Sequence, residues 1–341
     1  MYKNLDLELM REIFEIPSPT GYTHHVIEFL EKKVQELGYS TSKNKKGNLI
    51  VDVKGESDYT IGLSAHVDTL GLMVKSIDGS GNLRFTRLGG LILPTVDGEY
   101  CSVVTREGAT YTGTILSTSP SVHVYKDAQS ASRTEDNMYI RLDEEVSSKA
   151  DTLKLGISSG DIVYLDPKFT ITSSNFVKTR FLDDKASVFI LMQLLIDLKK
   201  DNIVPKHNLK IVFTTYEEVG HGCSNIPTVD ELLAVDMGCI GNDLSATESV
   251  VSICAKDSSG PYDYLMTSKL IKLAKENDIK YAVDIYPFYS SDASAALRAG
   301  ADIKAALIGA GIHASHGMER THLSGILETL KLIKLYINAG E

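Results

Sequence analysis

At five places in this sequence, histidine or carboxylate side chains stand directly behind a short apolar run. TIGLSA leads into His66 and Asp68, and FVKTRFL leads into Asp183 and Asp184. LKIVFTTY leads into Glu217 and Glu218, LLAV into Asp236, and IKAALIGAGIHAS into His316. Imidazole nitrogens and carboxylate oxygens are the donors that zinc and cobalt take. In open α/β sheets, sites lie outside the carboxyl ends of the strands. Side chains delivered to that edge could assemble a metal centre.

Each piece alone also has a plainer explanation. An adjacent glutamate pair is usually solvated surface charge, yet this one follows an eight-residue apolar strand directly. A single buried histidine is more often a hydrogen-bonded core residue than a ligand; the His66–Asp68 spacing counts against that here. Asp183 and Asp184 could simply cap the helix that follows, and Asp184 is expected to do some capping in either case. Asp236 competes with Asp243, although GND is also a turn signal. The C-terminal segment offers three histidines, His313, His316 and His322, which position alone does not separate. GISSG at 156–160 fits a serine-nucleophile spacing but lacks a preceding buried strand and a following helix. HExxH is absent, which removes the common single-zinc protease signature.

The elements that must position these residues follow from periodicity. Leu5, Leu9, Ile13 and Ile16 form one helical stripe, stopped by Pro17 and Pro19; Val26, Leu30, Val34 and Leu37 form another, ended by Gly38. Strands are expected over 48–54 and 60–65. From Gly71 to Pro167 short β-like runs alternate with turn signals such as DGSGN and REGATYTG. That texture predicts a small inserted β-rich, barrel-like domain over 71–167, with 133–150 as a polar, mobile loop within it. The remaining segments, 1–70 and 168–341, alternate strands (209–216, 232–235, 250–255, 281–286, 303–308) with helices (184–200, 262–276, 291–298, 324–336). The expected fold is a three-layer, doubly wound α/β sheet of mixed strand direction.

Composition narrows the function class. Of 341 residues, 45 are acidic and 35 basic, a formal charge of -10. An acidic surface argues against nucleic acid and anionic membranes as main partners. MYKNLDLELMREIFEI predicts no secretory signal, and no apolar stretch is of spanning length. Cys101, Cys223, Cys239 and Cys254 form no CxxC pair, which predicts reduced thiols and a cytoplasmic location. His24, His25, His123 and His207 have no partner pattern and are expected at the surface.

Taken together, AHVDTLG, RFLDDKAS, TTYEEVGHG, AVDMG and SHGMERTH resemble, in order, the motifs of the M42 family of metallo-aminopeptidases. The resemblance spans His66 to His322 and places the β-rich insertion where that family has its extra domain. It implies an exopeptidase acting on peptide N-termini with two divalent ions, zinc or cobalt. It implies His66, Asp183, Glu218, Asp236 and His316 as metal ligands, with Asp183 bridging, Asp236 pairing with His66, and His316 pairing with Glu218. His316 is selected because HGME matches an HSxxE-like pattern. Asp68 would orient the His66 imidazole, Glu217 would be the general base, and the Asp183–Asp184 peptide would be cis. His221 would be a second-layer or loop contact, and His322 structural or substrate-side. A homo-oligomer, as large as a dodecamer, is implied too. Two positions depart from the family pattern: Thr69, where an acidic residue is usual, and Lys185, where arginine is common.

Charge supports such a centre. Three ligand carboxylates and a hydroxide against two divalent cations leave a nearly neutral cluster, tolerable in a cleft. If the 209–216 strand stayed extended, Glu217 and Glu218 would diverge, one toward metal and one toward water. A carboxypeptidase or N-acyl-amino-acid deacylase of the same clan would use a similar ligand set on a similar sheet, with a different second domain. A non-catalytic peptide binder would have no need of Glu217.

Overall fold

The computed structural model describes residue 2 and residues 4–339. A ten-stranded mixed sheet forms its centre. Eight of its strands run in the spatial order Ser40–Lys43, Leu49–Val53, His207–Thr214, Ser57–His66, Glu231–Val235, Lys304–Ile312, Val251–Asp257 and Gly260–Pro261; off this path Gly238–Cys239 pairs parallel with Lys304–Ile312, and Tyr281–Ile285 parallel with Val251–Asp257. The four middle strands, from His207–Thr214 to Lys304–Ile312, are parallel to one another, while the flanking pairs are antiparallel. Parallel strands need both faces covered, so their side chains run continuously apolar, as in ELLAV and KAALIGAGI.

Alternation divides these side chains between two layers. Leu233 and Val235 join the large core beneath the helices Leu182–Lys200, Leu323–Asn338 and Tyr264–Glu276. Leu232 and Ala234 point the other way, against Ala293 and Ala296 of the helix Asp292–Arg298. The helix Leu182–Lys200 is buried on nearly every side from Leu182 to Leu195. It lies between the sheet and the helices Leu7–Glu15 and Leu323–Asn338, so it carries no polar stripe.

Six strands close into a barrel in the order Gly71–Ile77, Leu83–Leu88, Met138–Leu142, Thr110–Ser117, Tyr100–Val104 and Ile162–Leu165. Its interior has its own apolar core, including Val74, Phe85, Val103, Ile115, Ile140 and Val163. The expected mobile loop at 133–150 is corrected here. It contains the barrel strand Met138–Leu142, paired with Thr110–Ser117 from Ser117↔Met138 to Gly113↔Leu142, and the start of the helix Lys149–Lys154. MYIRL alternates buried Met138, Ile140 and Leu142 with more exposed neighbours. The charged residues around it hid a half-buried strand whose partner lies more than twenty residues earlier.

A three-stranded sheet, Thr170–Ile171, Phe176–Thr179 and Glu319–His322, ties the return from the barrel to the C-terminal segment. Among the described residues no helix is long and apolar enough to cross a membrane.

Candidate metal centre

The parallel strands deliver their side chains to one edge. His66 is the last residue of Ser57–His66 and is 1% exposed. Its Nε2 lies 3.0 Å from Asp183 Oδ1 and 3.8 Å from Glu217 Oε2. Asp183 opens the long helix through a cis peptide to Asp184. Its second oxygen stands 3.5 Å from His316 Nε2, which is in turn 3.7 Å from Glu218 Oε2. Asp236 follows Glu231–Val235, where its main-chain N–H extends the parallel ladder to the Ile308 carbonyl. Donor atoms of His66, Asp183 and Glu218 all lie within 4.8 Å of one another, as do those of His66, Asp184 and Asp236.

These separations suit metal ions. Donors each about 2.0–2.2 Å from one ion at tetrahedral angles lie about 3.3–3.6 Å apart, and the His316–Asp183 spacing falls in that range. Two oxygens in the cluster, Glu218 Oε1 and Asp184 Oδ1, are buried with no hydrogen-bond partner. A buried carboxylate oxygen without a donor is costly unless a cation faces it.

The electrostatics point the same way. Burial pushes the carboxyls of Glu217 and Glu218 well up, and neighbouring carboxylates, Asp236 and Asp183 foremost, push further. Asp236 rises to about 7, through burial and then the charge of Asp183. Burial alone would lower the two histidines. Their hydrogen bonds to Asp183 override it, lifting His66 well above its usual range and His316 to about 10. Asp183 is held low against its own burial by those two imidazoles. The raised proton affinity of both imidazoles marks a place that favours positive charge, which a bound cation would also supply to the same carboxylates.

The supporting residues divide the work differently from the sequence expectation. The Asp68 carboxylate does not make the hydrogen bond to the imidazole: His66 Nδ1 donates to the Asp68 main-chain oxygen at 2.8 Å, while its carboxylate oxygen is 3.6 Å away. The carboxylate instead accepts the main-chain N–H groups of Glu217 and Glu218, at 3.1 and 3.3 Å, and the Thr20 hydroxyl at 2.7 Å. Asp68 therefore orients His66 through its backbone and holds the glutamate pair through its side chain.

The extended-strand premise for that pair is corrected as well. His207–Thr214 ends before the glutamates, and Glu217–Val219 is a single 3-10 turn closed by Gly220 at φ 83°. On a turn the two side chains need not oppose each other, and both enter the site: Glu217 approaches His66 and Glu218 approaches His316. The expected capping by Asp184 is corrected: the start of the helix Leu182–Lys200 has no side-chain cap. The Asp184 carboxylate accepts the main-chain N–H of His66 at 3.1 Å, pinning the strand end to the helix start.

Two residues escaped the sequence reading. Glu319 is 2% exposed, and its two oxygens accept the main-chain N–H groups of Asp183 and His316 at 3.0 and 2.9 Å, which fixes two candidate ligands together. Its place in SHGMERTH was the available signal. Gly90 accepts from His316 Nδ1 through its carbonyl at 3.1 Å, and a Cβ there would stand 2.8 Å from that nitrogen. No local pattern marks Gly90, since its partner is 226 residues away.

The other histidines and departures also find places. His313 bridges to Arg320 across the last hairpin, and His322 caps the final helix through the Ser324 N–H. His221 stacks on Tyr216 and lies 3.0 Å from Lys46 Nζ. His207, expected at the surface, is only 3% exposed and lies between Ser57 Oγ and the Ala339 carbonyl. Thr69 is held by backbone bonds to Ser18 and Thr20. Lys185 is buried and donates to the Ile13, Phe14 and Ile16 carbonyls at the C-terminus of the helix Leu7–Glu15. Neither Thr69 nor Lys185 belongs to the donor groups.

Comparison with known proteins agrees with this architecture. Residues 47–332 match the profile of the M42 glutamyl aminopeptidases. YhfE of Bacillus subtilis (strain 168) is 48% identical over 337 residues, covering 98% of this chain and 97% of that protein. The TET aminopeptidase of Thaumarchaeota archaeon SCGC AB-539-E09 superposes with a TM-score of 0.88 at 20% identity, over 97% of this chain and 95% of its own. The TET1 peptidase of Pyrococcus horikoshii, described as assembling into a tetrahedron or a large octahedral shell, gives 0.85 at 25% identity, over 97% and 98%. A strand-edge cluster of histidines and carboxylates, a mixed α/β sheet with a closed barrel and a match over most of its length make this chain a member of the M42 glutamyl aminopeptidase family.

Proposed function

We propose that this chain removes N-terminal residues from peptides with two divalent ions, zinc or cobalt, held by His66, Asp183, Glu218, Asp236 and His316. The observation that carries the reading is the convergence of Asp183, Glu217, Glu218, Asp236 and His316 on one cavity of about 380 Å³ at the strand edge, with the buried His66 imidazole 3.0 Å behind Asp183. Divalent cations bound there supply Lewis acidity toward a peptide carbonyl and toward water. Asp183, with one oxygen toward each histidine, joins the two halves of the set. Glu217 Oε2 stands 3.8 Å from His66 Nε2, and its raised proton affinity suits a carboxylate that takes a proton from water and returns it to the leaving amine. Asp68 and Glu319 hold the ligand-bearing main chain in place.

The remaining proposals concern organisation. The segments 1–70 and 168–341 form the catalytic domain, and 71–167 the inserted barrel, a module suited to contacts between subunits. A homo-oligomer, as large as a dodecamer, is supported by the assemblies described for Pyrococcus horikoshii TET1. A cytoplasmic location is supported by the four free cysteines. The rival carboxypeptidase and deacylase readings are not favoured, given the family match and the barrel.

The test is hydrolysis of aminoacyl-p-nitroanilides against their N-acetylated counterparts, before and after chelation, with metal content measured alongside. Activity that needs a free N-terminus, is lost with the metal and returns with zinc or cobalt supports the reading. Preference for the N-acylated substrate overturns it.

A further inference from the structure

We propose that this chain selects an uncharged, apolar residue at the substrate N-terminus, with Met237 and Cys239 forming the selecting wall. The inference rests on the aminopeptidase reading above and names the substrate class for the same cavity. Met237, 2% exposed, follows Asp236 directly and Cys239 stands two residues further on; both line the same cavity as Asp236. Their orientation is set by backbone pairing: Gly238 and Cys239 lie parallel to Gly311 and Ile312, and the Met237 N–H is bonded to Asp236 Oδ1 at 2.6 Å. The Cys239 thiol rests 3.9 Å from the Met237 sulfur, which makes a continuous soft, polarisable patch.

The same cavity is lined by Ile92, Phe288 and Tyr289. Ile92 is 44% and Phe288 98% exposed, an apolar mouth for an incoming side chain. The charged groups among the described lining residues are the carboxylates and His316 already assigned to metal and proton transfer; no lysine or arginine is among them. The cations near the site are committed elsewhere. Lys46 Nζ is held by His221, the Gly222 carbonyl and Ser224, and Arg180 donates to the Gly317 and Thr95 carbonyls. A substrate glutamate would therefore bring a carboxylate beside ligand carboxylates that already balance the two cations, with no lysine or arginine among the lining residues to meet it, which burial penalises. A lysine ammonium would find no carboxylate free of other duties. An apolar side chain loses nothing on entry and gains contact with the sulfurs and rings. This separates the chain from the glutamyl preference that its family is named for.

The experiment measures kcat/KM on aminoacyl-p-nitroanilides of Leu, Met, Glu and Lys, with calorimetric titration of free L-leucine, L-glutamate and L-lysine into the metal-loaded protein. The expected result is Leu and Met at least tenfold above Glu and Lys, with L-leucine the tightest free amino acid. Cys239→Asp, checked for unchanged metal content, is expected to shift the Lys/Leu ratio at least tenfold toward Lys. Glu or Lys cleaved as fast as Leu, or bound as tightly, overturns the specificity while leaving the aminopeptidase reading intact. Hydrolysis of none of the four overturns that reading, and this inference with it.

Discussion

Replacing Glu217 with Gln isolates proton transfer from metal binding. The substitution keeps the side chain's size and leaves its main-chain N–H to Asp68 at 3.1 Å untouched, so the 217–219 turn should persist. Glu218 belongs to a donor group and has a buried, unpartnered oxygen, whereas no Glu217 oxygen is among the buried unpartnered ones. The variant should therefore bind the same amount of metal as the wild type. A glutamine cannot take a proton, and general acid–base catalysis by one positioned group is worth roughly 10²–10⁴ in rate. That corresponds to about 2.7–5.5 kcal/mol of barrier. The loss should fall on kcat with KM changed much less, because the carboxylate acts on the reacting atoms rather than on substrate affinity. Steady-state kinetics on a peptide nitroanilide and elemental analysis of the same sample provide the assay. Glu218→Gln should do the reverse, losing metal first. Retained turnover in Glu217→Gln, or a missing ion in it, would refute the assigned roles and require exchanging the two glutamates or abandoning the mechanism.

Glu319→Ala should weaken metal binding roughly 10–100-fold, read by competition with a chromophoric chelator, because Asp183 and His316 lose their shared anchor. Lys185→Met should cost about 1–3 kcal/mol in urea unfolding, since buried carbonyls at the end of the helix Leu7–Glu15 lose their donor; an unchanged midpoint would contradict that role. Burial pushes the Cys101 and Cys254 thiols up to about 12, so neither should react with a thiol reagent at neutral pH until the protein unfolds. Their folded values lie above the unfolded value near 9, so their contribution to stability should be intact below that pH and lost as pH rises toward 12, measurable as a falling melting temperature in alkali.

Much of the molecule is encoded locally. Periods of 2 and 3.6 in the apolar residues placed most strands and helices of the outer segments, because one buried face imposes its spacing on a contiguous stretch of chain. His66 and Asp236 stand at the ends of parallel strands, where periodicity points; Glu217 and Glu218 follow their strand on a turn, and Asp183 stands in the long helix behind an antiparallel strand. The barrel strand Met138–Leu142 was obscured by charged neighbours, and its pairing with Thr110–Ser117 is not a property of either segment alone.

What only the tertiary structure decided are relations across long stretches of sequence. The turn of Glu217 and Glu218 depends on Asp68, about 150 residues earlier. Glu319 clamps Asp183 to His316 across 136 residues, and the position of the His316 ring depends on Gly90. His207 is buried by contacts to Ser57 and Ala339. A hydrogen bond or a shared ion is made at about 3 Å whatever the chain distance between its partners. The types of the participating residues can be read along the chain, but which of them meet is settled when the sheet, the barrel and the buried helix are packed together.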